Sequence, residues 1–279
     1  MASQDQQSAK PPRRLFRFSL RTLMLLVALV AVSLQWVGWV GWKVDEARSQ
    51  RLVVAELQKM NAQIIYDYEI AKLNGDRVQS PPRPKWLSDL LGKEYFVEVR
   101  SVRVGGLQII GTPQVTDDTF ALIAKLSYVK YLTVVSDRIS GTGLVHLAGL
   151  TQLTNLWAEG WITDSSLEYV SKLEGLESLN IDGAARITDR GLAQIAKLNN
   201  LRYLRLGIGA SSSANPQDYM KITDEGLINL YGLKNLAFLG LNTIHVTEAG
   251  IDSLKKALPN CKIEWNPQGP NGTMTTDHP

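Results

Sequence analysis

One short pattern recurs six times between Val99 and Trp265, and it constrains this chain more than any other feature. The line-ups are Val99-x-x-Val102-x-Val104, Val129-x-x-Leu132-x-Val134, Leu153-x-x-Leu156-x-Ala158, Leu176-x-x-Leu179-x-Ile181, Leu201-x-x-Leu204-x-Leu206 and Leu236-x-x-Leu239-x-Leu241. A second signature follows each: Val115-Thr116-Asp117, Ile139-Ser140-Gly141, Ile162-Thr163-Asp164, Ile187-Thr188-Asp189, Ile222-Thr223-Asp224 and Val246-Thr247-Glu248. From residues 115, 139, 162, 187, 222 and 246, it returns after 24, 23, 25, 35 and 24 residues. Self-similarity at such a period marks a solenoid, in which each unit buries its apolar face only against its neighbours.

The period is that of leucine-rich repeats. The first signature alternates as a strand does, with Leu, Ile and Val turned inward and the residues between them turned out. The expected fold is therefore α/β: a parallel sheet on the concave face over 99–265, with helices outside. Thr116, Thr163, Thr188, Thr223 and Thr247 stand where an N-cap hydroxyl accepts an amide. The acid after the cap, present in five of the six units, falls in the first turn, where the helix dipole favours negative charge. Acids spaced one per repeat on separate helices read as caps and not as a metal site. Gly143, Gly191, Gly226 and Gly250 recur ahead of an inward apolar residue, an arrangement that lets helix and sheet approach closely.

The net charge of +3 sits at one end. In residues 1–22, Lys10, Arg13, Arg14, Arg17 and Arg21 against Asp5 give +4, which leaves about −1 for the other 257 residues. Basicity confined to a short tail is a topology signal, and no nucleic-acid partner is expected. That tail is polar, disordered by composition, and read as cytoplasmic. Residues 23–42 carry no charge over twenty positions, about 30 Å of helix at ~1.5 Å per residue, enough to cross a bilayer core. Phe16 and Phe18 flank one end and Trp36, Trp39 and Trp42 the other, as aromatic rings do at an interface.

Two other readings of 23–42 stay open: a cleaved secretory signal with Ala31-Val32-Ser33 as its small-x-small site, and a buried soluble helix. The uncharged run continues nine residues past Ser33 and holds three Trp, which favours a single-pass signal-anchor. Five Lys and Arg precede the span and four follow it (Lys43, Arg48, Arg51, Lys59), so the flanks are nearly even. Arg17 and Arg21 at the boundary tip the expectation to a cytoplasmic N-terminus and extracytoplasmic repeats at the cell membrane.

Residues 43–98 are expected to hold a juxtamembrane helix and the N-terminal cap of the solenoid. Val44, Ala47, Val54 and Leu57 recur at helical spacing. Gln63 to Glu69 turns to β-branched and aromatic residues and predicts a strand. Residues 75–85, with three prolines, predict a loop, and Trp86, Leu87, Leu90 and Leu91 a short amphipathic helix closed by Gly92. The fifth unit carries about eleven extra residues within 207–221. They read either as an ordinary mobile loop or as a lip over the concave face that presents Tyr219 and Met220. Residues 266–279 are disordered by composition.

Ile222-Thr223-Asp224-Glu225-Gly226-Leu227, its relatives in the other units, and the closing Leu258-Pro259-Asn260-Cys261-Lys262-Ile263 resemble bacterial leucine-rich repeat proteins of the cysteine-containing-type repeat class. Phe18-Ser19-Leu20-Arg21-Thr22-Leu23 before the span, and Tyr66-Asp67-Tyr68-Glu69 ahead of the repeats, are similar to the membrane-anchored members of that group. The resemblance covers nearly all of the chain beyond residue 17. It implies a curved solenoid used for protein contacts, with no catalytic residues. The chain departs from the ubiquitin-ligase-associated relatives in lacking an F-box-like module and the repeat cysteines, which argues against a ubiquitin role.

Chemistry is sparse. His146, His245 and His278 share no metal-ligand or nucleophile-base spacing, and there is no phosphate loop or serine elbow. Cys261, the single cysteine, reads as a small hydrophobe under the end of the solenoid. No enzyme activity, metal or cofactor is expected. What remains is the outward face of the strands, read as three columns. The first is Ser101, Tyr131, Asn155, Ser178, Tyr203 and Phe238; the second is Arg103, Thr133, Trp157, Asn180, Arg205 and Gly240; the third is Gly105, Val135, Glu159, Asp182, Gly207 and Asn242. Aromatic residues and Arg dominate interface energetics. The candidate recognition stripe for a protein or peptide is thus Arg103, Tyr131, Trp157, Tyr203, Arg205 and Phe238. Cross-strand stabilisation of the sheet is the competing role for the aromatics. At the level of function, the expectation is a membrane-anchored protein-binding module, and the alternative is a structural envelope component without a specific soluble ligand.

Overall fold

The computed structural model describes residues 20–69, 86, 89, 95–105, 114–182, 186–207 and 220–266. Both tails, the proline-rich loop, most of the expected 86–92 helix and most of the fifth-unit insertion lie outside the described residues; Trp86 and Asp89 are helical. The chain divides into two units, Met1–Asp45 and Glu46–Pro279.

Within the second unit the chain is an α/β leucine-rich repeat solenoid. Eight strands lie in one sheet in sequence order: β1 (Gln63–Tyr66), β2 (Val99–Gly105), β3 (Tyr131–Val135), β4 (Asn155–Glu159), β5 (Ser178–Asp182), β6 (Tyr203–Gly207), β7 (Phe238–Leu241) and β8 (Lys262–Trp265). Only β1 runs antiparallel to its neighbour; from β2 to β8 every pair is parallel and joined without a slip. The lack of slip follows from alternation. One residue of shift would turn Leu132, Leu156, Leu179, Leu204 and Leu239 out of the core, where all are now buried. Short helices such as Asp164–Val170 and Asp189–Ile195 return the chain on the outer side, and the second unit of the repeat uses a 3-10 helix, Thr142–Gly149.

Two elements go beyond the sequence reading. Strand β8 adds a seventh parallel strand, because Leu239 pairs with Ile263 and Leu241 with Trp265; a polar Asn260 at the leading pattern position hides it. At the other end, α1 (Leu20–Lys59) is one continuous helix. Its C-terminal part buries Ala47, Gln50, Val53, Val54 and Leu57, a helical face that joins the core of the first repeat. Gln50 donates to the Val97 carbonyl at 2.9 Å, so its amide is not left unpaired inside. The helix stops where Asn61 takes the left-handed conformation (φ 59°) and Ala62 N donates to the Leu57 carbonyl. The strand expected over 63–69 is shorter: after Tyr66, residues 67–69 turn helical. The Glu69 carboxylate accepts the Tyr66 amide and Asp67 accepts that of Tyr68, local bonds that compete with a ladder.

The recurrent acid does more than cap its own helix. Asp164 accepts from both the amide (2.9 Å) and hydroxyl (2.6 Å) of Thr188, one repeat on. Asp189 does the same to Thr223 and Asp224 to Thr247. Asp117 takes the Ser140 amide and hydroxyl, and the Gly143 amide. The acid therefore clasps adjacent repeats. Some cap geometry is also present: the hydroxyls of Thr188 and Thr247 accept from Arg190 N and Gly250 N, whereas Thr223 makes no such bond.

This clasp corrects the reading of three of the four glycines; at Gly143 a β-carbon would meet the Asp117 backbone and the Phe120 ring, a close approach as expected. A β-carbon at Gly191, Gly226 or Gly250 would collide with Oδ1 of Asp164, Asp189 or Asp224 respectively, so the glycine clears space for the preceding repeat's carboxylate. Where no acid precedes, the glycine is replaced by a hydroxyl residue. Unit one has no clasping acid before it, and Thr119 Oγ1 accepts the Thr116 amide at 3.1 Å. Unit three follows Gly141 instead of an acid, and Ser166 Oγ accepts the Thr163 amide at 3.3 Å. Every unit thus satisfies the amide that opens its helix, by one device or the other.

The 207–221 insertion ends on Met220, which is fully buried, its carbonyl accepting from the Thr243 hydroxyl at 3.1 Å. Met220 therefore does not lip over the sheet: apolar burial draws it into the core. Tyr219 lies outside the described residues.

Candidate binding face

The three outward columns follow the strand register. Ser101, Tyr131, Asn155, Ser178, Tyr203 and Phe238 are successive partners, as are Arg103, Thr133, Trp157, Asn180, Arg205 and Gly240. The inner face of the same strands is fixed by burial, so alternation alone holds these side chains on the open face.

Arg103, Tyr131, Trp157 and Tyr203 come together along a groove of about 620 Å³ on this face, with Asn155 and Asn180 in its floor. Arg205 and Phe238 lie one step beyond, outside its lining. The capping strand contributes Gln63 and Ile65, which sequence reasoning missed. Their alternation in Gln-Ile-Ile-Tyr was visible, but the antiparallel pairing of Gln63 with Arg103 that brings them to the groove was not.

Trp157 is 37% exposed and held in place: its Nε1 donates to Asp182 at 2.9 Å, and the Arg103 guanidinium lies 5.9 Å from its ring. Tyr203 and Phe238 stack at 4.6 Å and 8°, so Phe238 supports Tyr203 as a cross-strand partner does. Among the described residues neither Arg103 nor Arg205 has a carboxylate partner. The side-chain oxygen of Asn180, between Trp157 and Arg205, is buried and has no donor among the described residues.

The third column holds the face's acids. Glu159 pairs in register with Asp182; burial, and then the Asp182 charge, push its carboxyl above the ordinary range. A raised folded value means that stability is lost as pH rises through it. Glu159→Gln should therefore raise the melting temperature at pH 7, and the gain should vanish below the ordinary carboxylate range, where Glu is protonated in both states. A gain that is equal at pH 7 and at pH 3.5 (a test condition on the order of one unit below the ordinary Glu value) would refute this. Asp117 is displaced the other way. Burial is the largest single influence and acts upward, but the hydrogen bonds from the Ser140 hydroxyl, the Gly143 and Ser140 amides and the Thr142 hydroxyl together outweigh it and hold the carboxyl low.

Elsewhere the chemistry is quiet. Cys261 is half-buried, and burial pushes its thiol up to about 11, so it is not a poised nucleophile. His146 and His245 are exposed and far apart in the repeat order, and His278 lies outside the described residues. Among the described residues no three His, Cys, Asp or Glu side chains gather as a metal site would require.

No protein-family model matches the sequence, and no curated protein does. Solved structures similar to it include internalin C2 of Listeria monocytogenes, at 15% identity and TM-score 0.38 over 59% of this chain and 70% of that one. A leucine-rich repeat protein of Leptospira interrogans is similar at 19% identity and TM-score 0.36, over 70% of this chain and 44% of that one. The yeast Rad7 and Elc1 complex is similar at 18% identity and TM-score 0.30, over 88% of this chain and 66% of that one. The fold assignment rests on the strand register described above, not on these likenesses.

Proposed function

We propose that this chain is a single-pass membrane-anchored binding module, with its N-terminus in the cytoplasm and its repeats outside, which holds a protein or peptide on the concave sheet face. The observation that carries the binding reading is the groove itself, where Tyr131, Trp157 and Tyr203 converge with Arg103, which among the described residues has no carboxylate partner. Aromatic rings and guanidinium groups at the centre of a surface are what interface hot spots are made of.

The anchor reading rests on α1. One helix among the described residues is long and apolar enough to cross a membrane. Met24, Leu25, Val27, Leu29, Trp36 and Trp39 are all more than half exposed on it, an apolar surface that hydrocarbon would cover. A C-terminal reporter active only in the cytoplasm would overturn the orientation.

The test of binding is proximity labelling by the full-length chain in its membrane, followed by capture of the labelled partner. Trp157→Ala and Tyr203→Ala are each expected to weaken capture about thirtyfold, the ~2 kcal/mol of a hot spot, while lowering the melting temperature no more than the loss of one cross-strand pair does. Unaltered capture by both variants would remove the face from the binding reading and leave the aromatics a sheet-stabilising role. Regular lateral self-assembly with no captured partner would favour an envelope component.

A further inference from the structure

The middle column of the sheet face runs Arg103, Thr133, Trp157, Asn180, Arg205, Gly240. Its two cations stand apart, on β2 and β6, and among the described residues neither is matched by an acid. A β-carbon at Gly240 would press on the Phe238 ring at 3.2 Å and on Arg205 Cγ at 3.3 Å, so the glycine leaves room for both. Among the described residues the groove between the two cations is uncharged, and Arg103 is the only charged one in its lining. The Asn155 oxygen is already taken by the Thr154 hydroxyl at 2.8 Å, which leaves its amide hydrogens to spend. Beside this neutral middle stand Glu159 and Asp182, in the next column on β4 and β5.

We infer that the ligand of this face is an extended peptide segment of a protein partner carrying two carboxylates, one for Arg103 and one for Arg205, with uncharged residues between them. The inference rests on the concave-face reading above and names the partner's chemistry. Four strand steps of ~4.8 Å separate the two arginine backbones by about 19 Å, and the Arg103 guanidinium leans into that gap, 5.9 Å from the Trp157 ring. An extended chain advances ~3.3 Å per residue, so the two acids lie about four to six residues apart. Guanidinium groups without a carboxylate partner favour carboxylates, and their planar forks bind them bidentately. Glu159 and Asp182 act as the repulsive element: an acid in the middle of the ligand would meet like charge. They also disfavour a nucleic acid or another continuous polyanion, whose charges would run past them at every step. Ligand backbone carbonyls meet the Asn155 amide, and neutral side chains lie against Tyr131, Trp157 and Tyr203.

The experiment is selection of a phage-displayed random dodecapeptide library on the full-length chain in detergent micelles. Selected sequences are expected to carry paired Asp or Glu four to six positions apart at least about threefold over the unselected library. A synthetic peptide of the selected consensus should bind Arg103→Gln or Arg205→Gln about tenfold more weakly, with the melting temperature unchanged. Arg103→Glu should recover binding when the facing acid of the peptide is replaced by Lys, a charge swap that mere damage to the fold would not produce. Selected peptides that lack the acid pair, or are basic, yet are lost on Trp157→Ala would overturn this inference and leave the concave face as a binding site. Peptides retained by Trp157→Ala and Tyr203→Ala alike would overturn both, and a library with no enrichment at all would overturn the acid pair.

Discussion

Gly226→Ala is expected to destabilise the solenoid by about 2 kcal/mol in the native chain and to be nearly neutral once Asp189 has been replaced by Ala. The difference follows from the clasp. In the native chain a methyl group at position 226 collides with the Asp189 carboxylate, which must move and loosen its two bonds to Thr223. Hydrogen bonds to a charged group are each worth roughly 1.5–3 kcal/mol, so losing part of the pair outweighs any gain in helix propensity. Asp189→Ala alone removes both bonds and leaves the Thr223 amide unpaired, a loss of about 3 kcal/mol. With the carboxylate gone the closest remaining contact is the β-carbon of residue 189 at 3.0 Å, a squeeze that offsets the ~1 kcal/mol by which alanine is better than glycine in a helix. A double-mutant cycle by urea denaturation should show a coupling of about 2 kcal/mol between positions 189 and 226. Additive effects would mean that the glycine serves close helix and sheet approach after all.

Leu57→Asp is expected to unfold the first repeats, with a loss exceeding about 4 kcal/mol. Leu57 is fully buried among the residues that cover the start of the sheet, and truncation to Ala alone costs roughly 2–5 kcal/mol at such a site. A carboxylate there adds the desolvation of a charge with no partner. Because stability in a repeat array is carried by nearest neighbours, the damage should be graded. Amide exchange should rise most in β1, β2 and β3 and least in β7 and β8. Uniform loss of protection along the sheet would show that the array unfolds as one unit and that this helix face is not its cap.

The repeating framework was legible because it rests on local, periodic facts. Alternation in Leu201-x-x-Leu204-x-Leu206 fixes which face is buried, and the recurring pattern fixes the register, so Tyr203 and Arg205 fall into their columns from the sequence alone. The clasp was present in the sequence only as two separate lists, one of acids and one of glycines. Pairing Asp189 with Gly226 requires knowing that the carboxylate points along the solenoid axis, which a helix-by-helix reading cannot supply. Strand β8 escaped because Asn260 breaks the apolar pattern, and the place of Gln63 in the groove escaped because its partner Arg103 lies forty residues away in an antiparallel pairing. Met220 was misread because a Gly- and Ser-rich neighbourhood masks one apolar residue that the core can still reclaim.

The exchange of Asp and Gly for Gly141 and Ser166 has a mechanical consequence. From Asp164 onward each repeat is bolted to the next by a carboxylate, and Asp117 bolts the first to the second, but the joint between the second and third repeats has no such bolt. There the sheet bonds and shared core are joined by the Trp161 amide, which donates to the Ile139 carbonyl at 2.8 Å, and by the lean of Arg103 over Trp157. The joint runs between β3 and β4, with Tyr131 on one bank and Trp157 on the other. A ligand lying across both rings therefore spans the joint that lacks a carboxylate, and its contacts would add to the few side-chain ties across it.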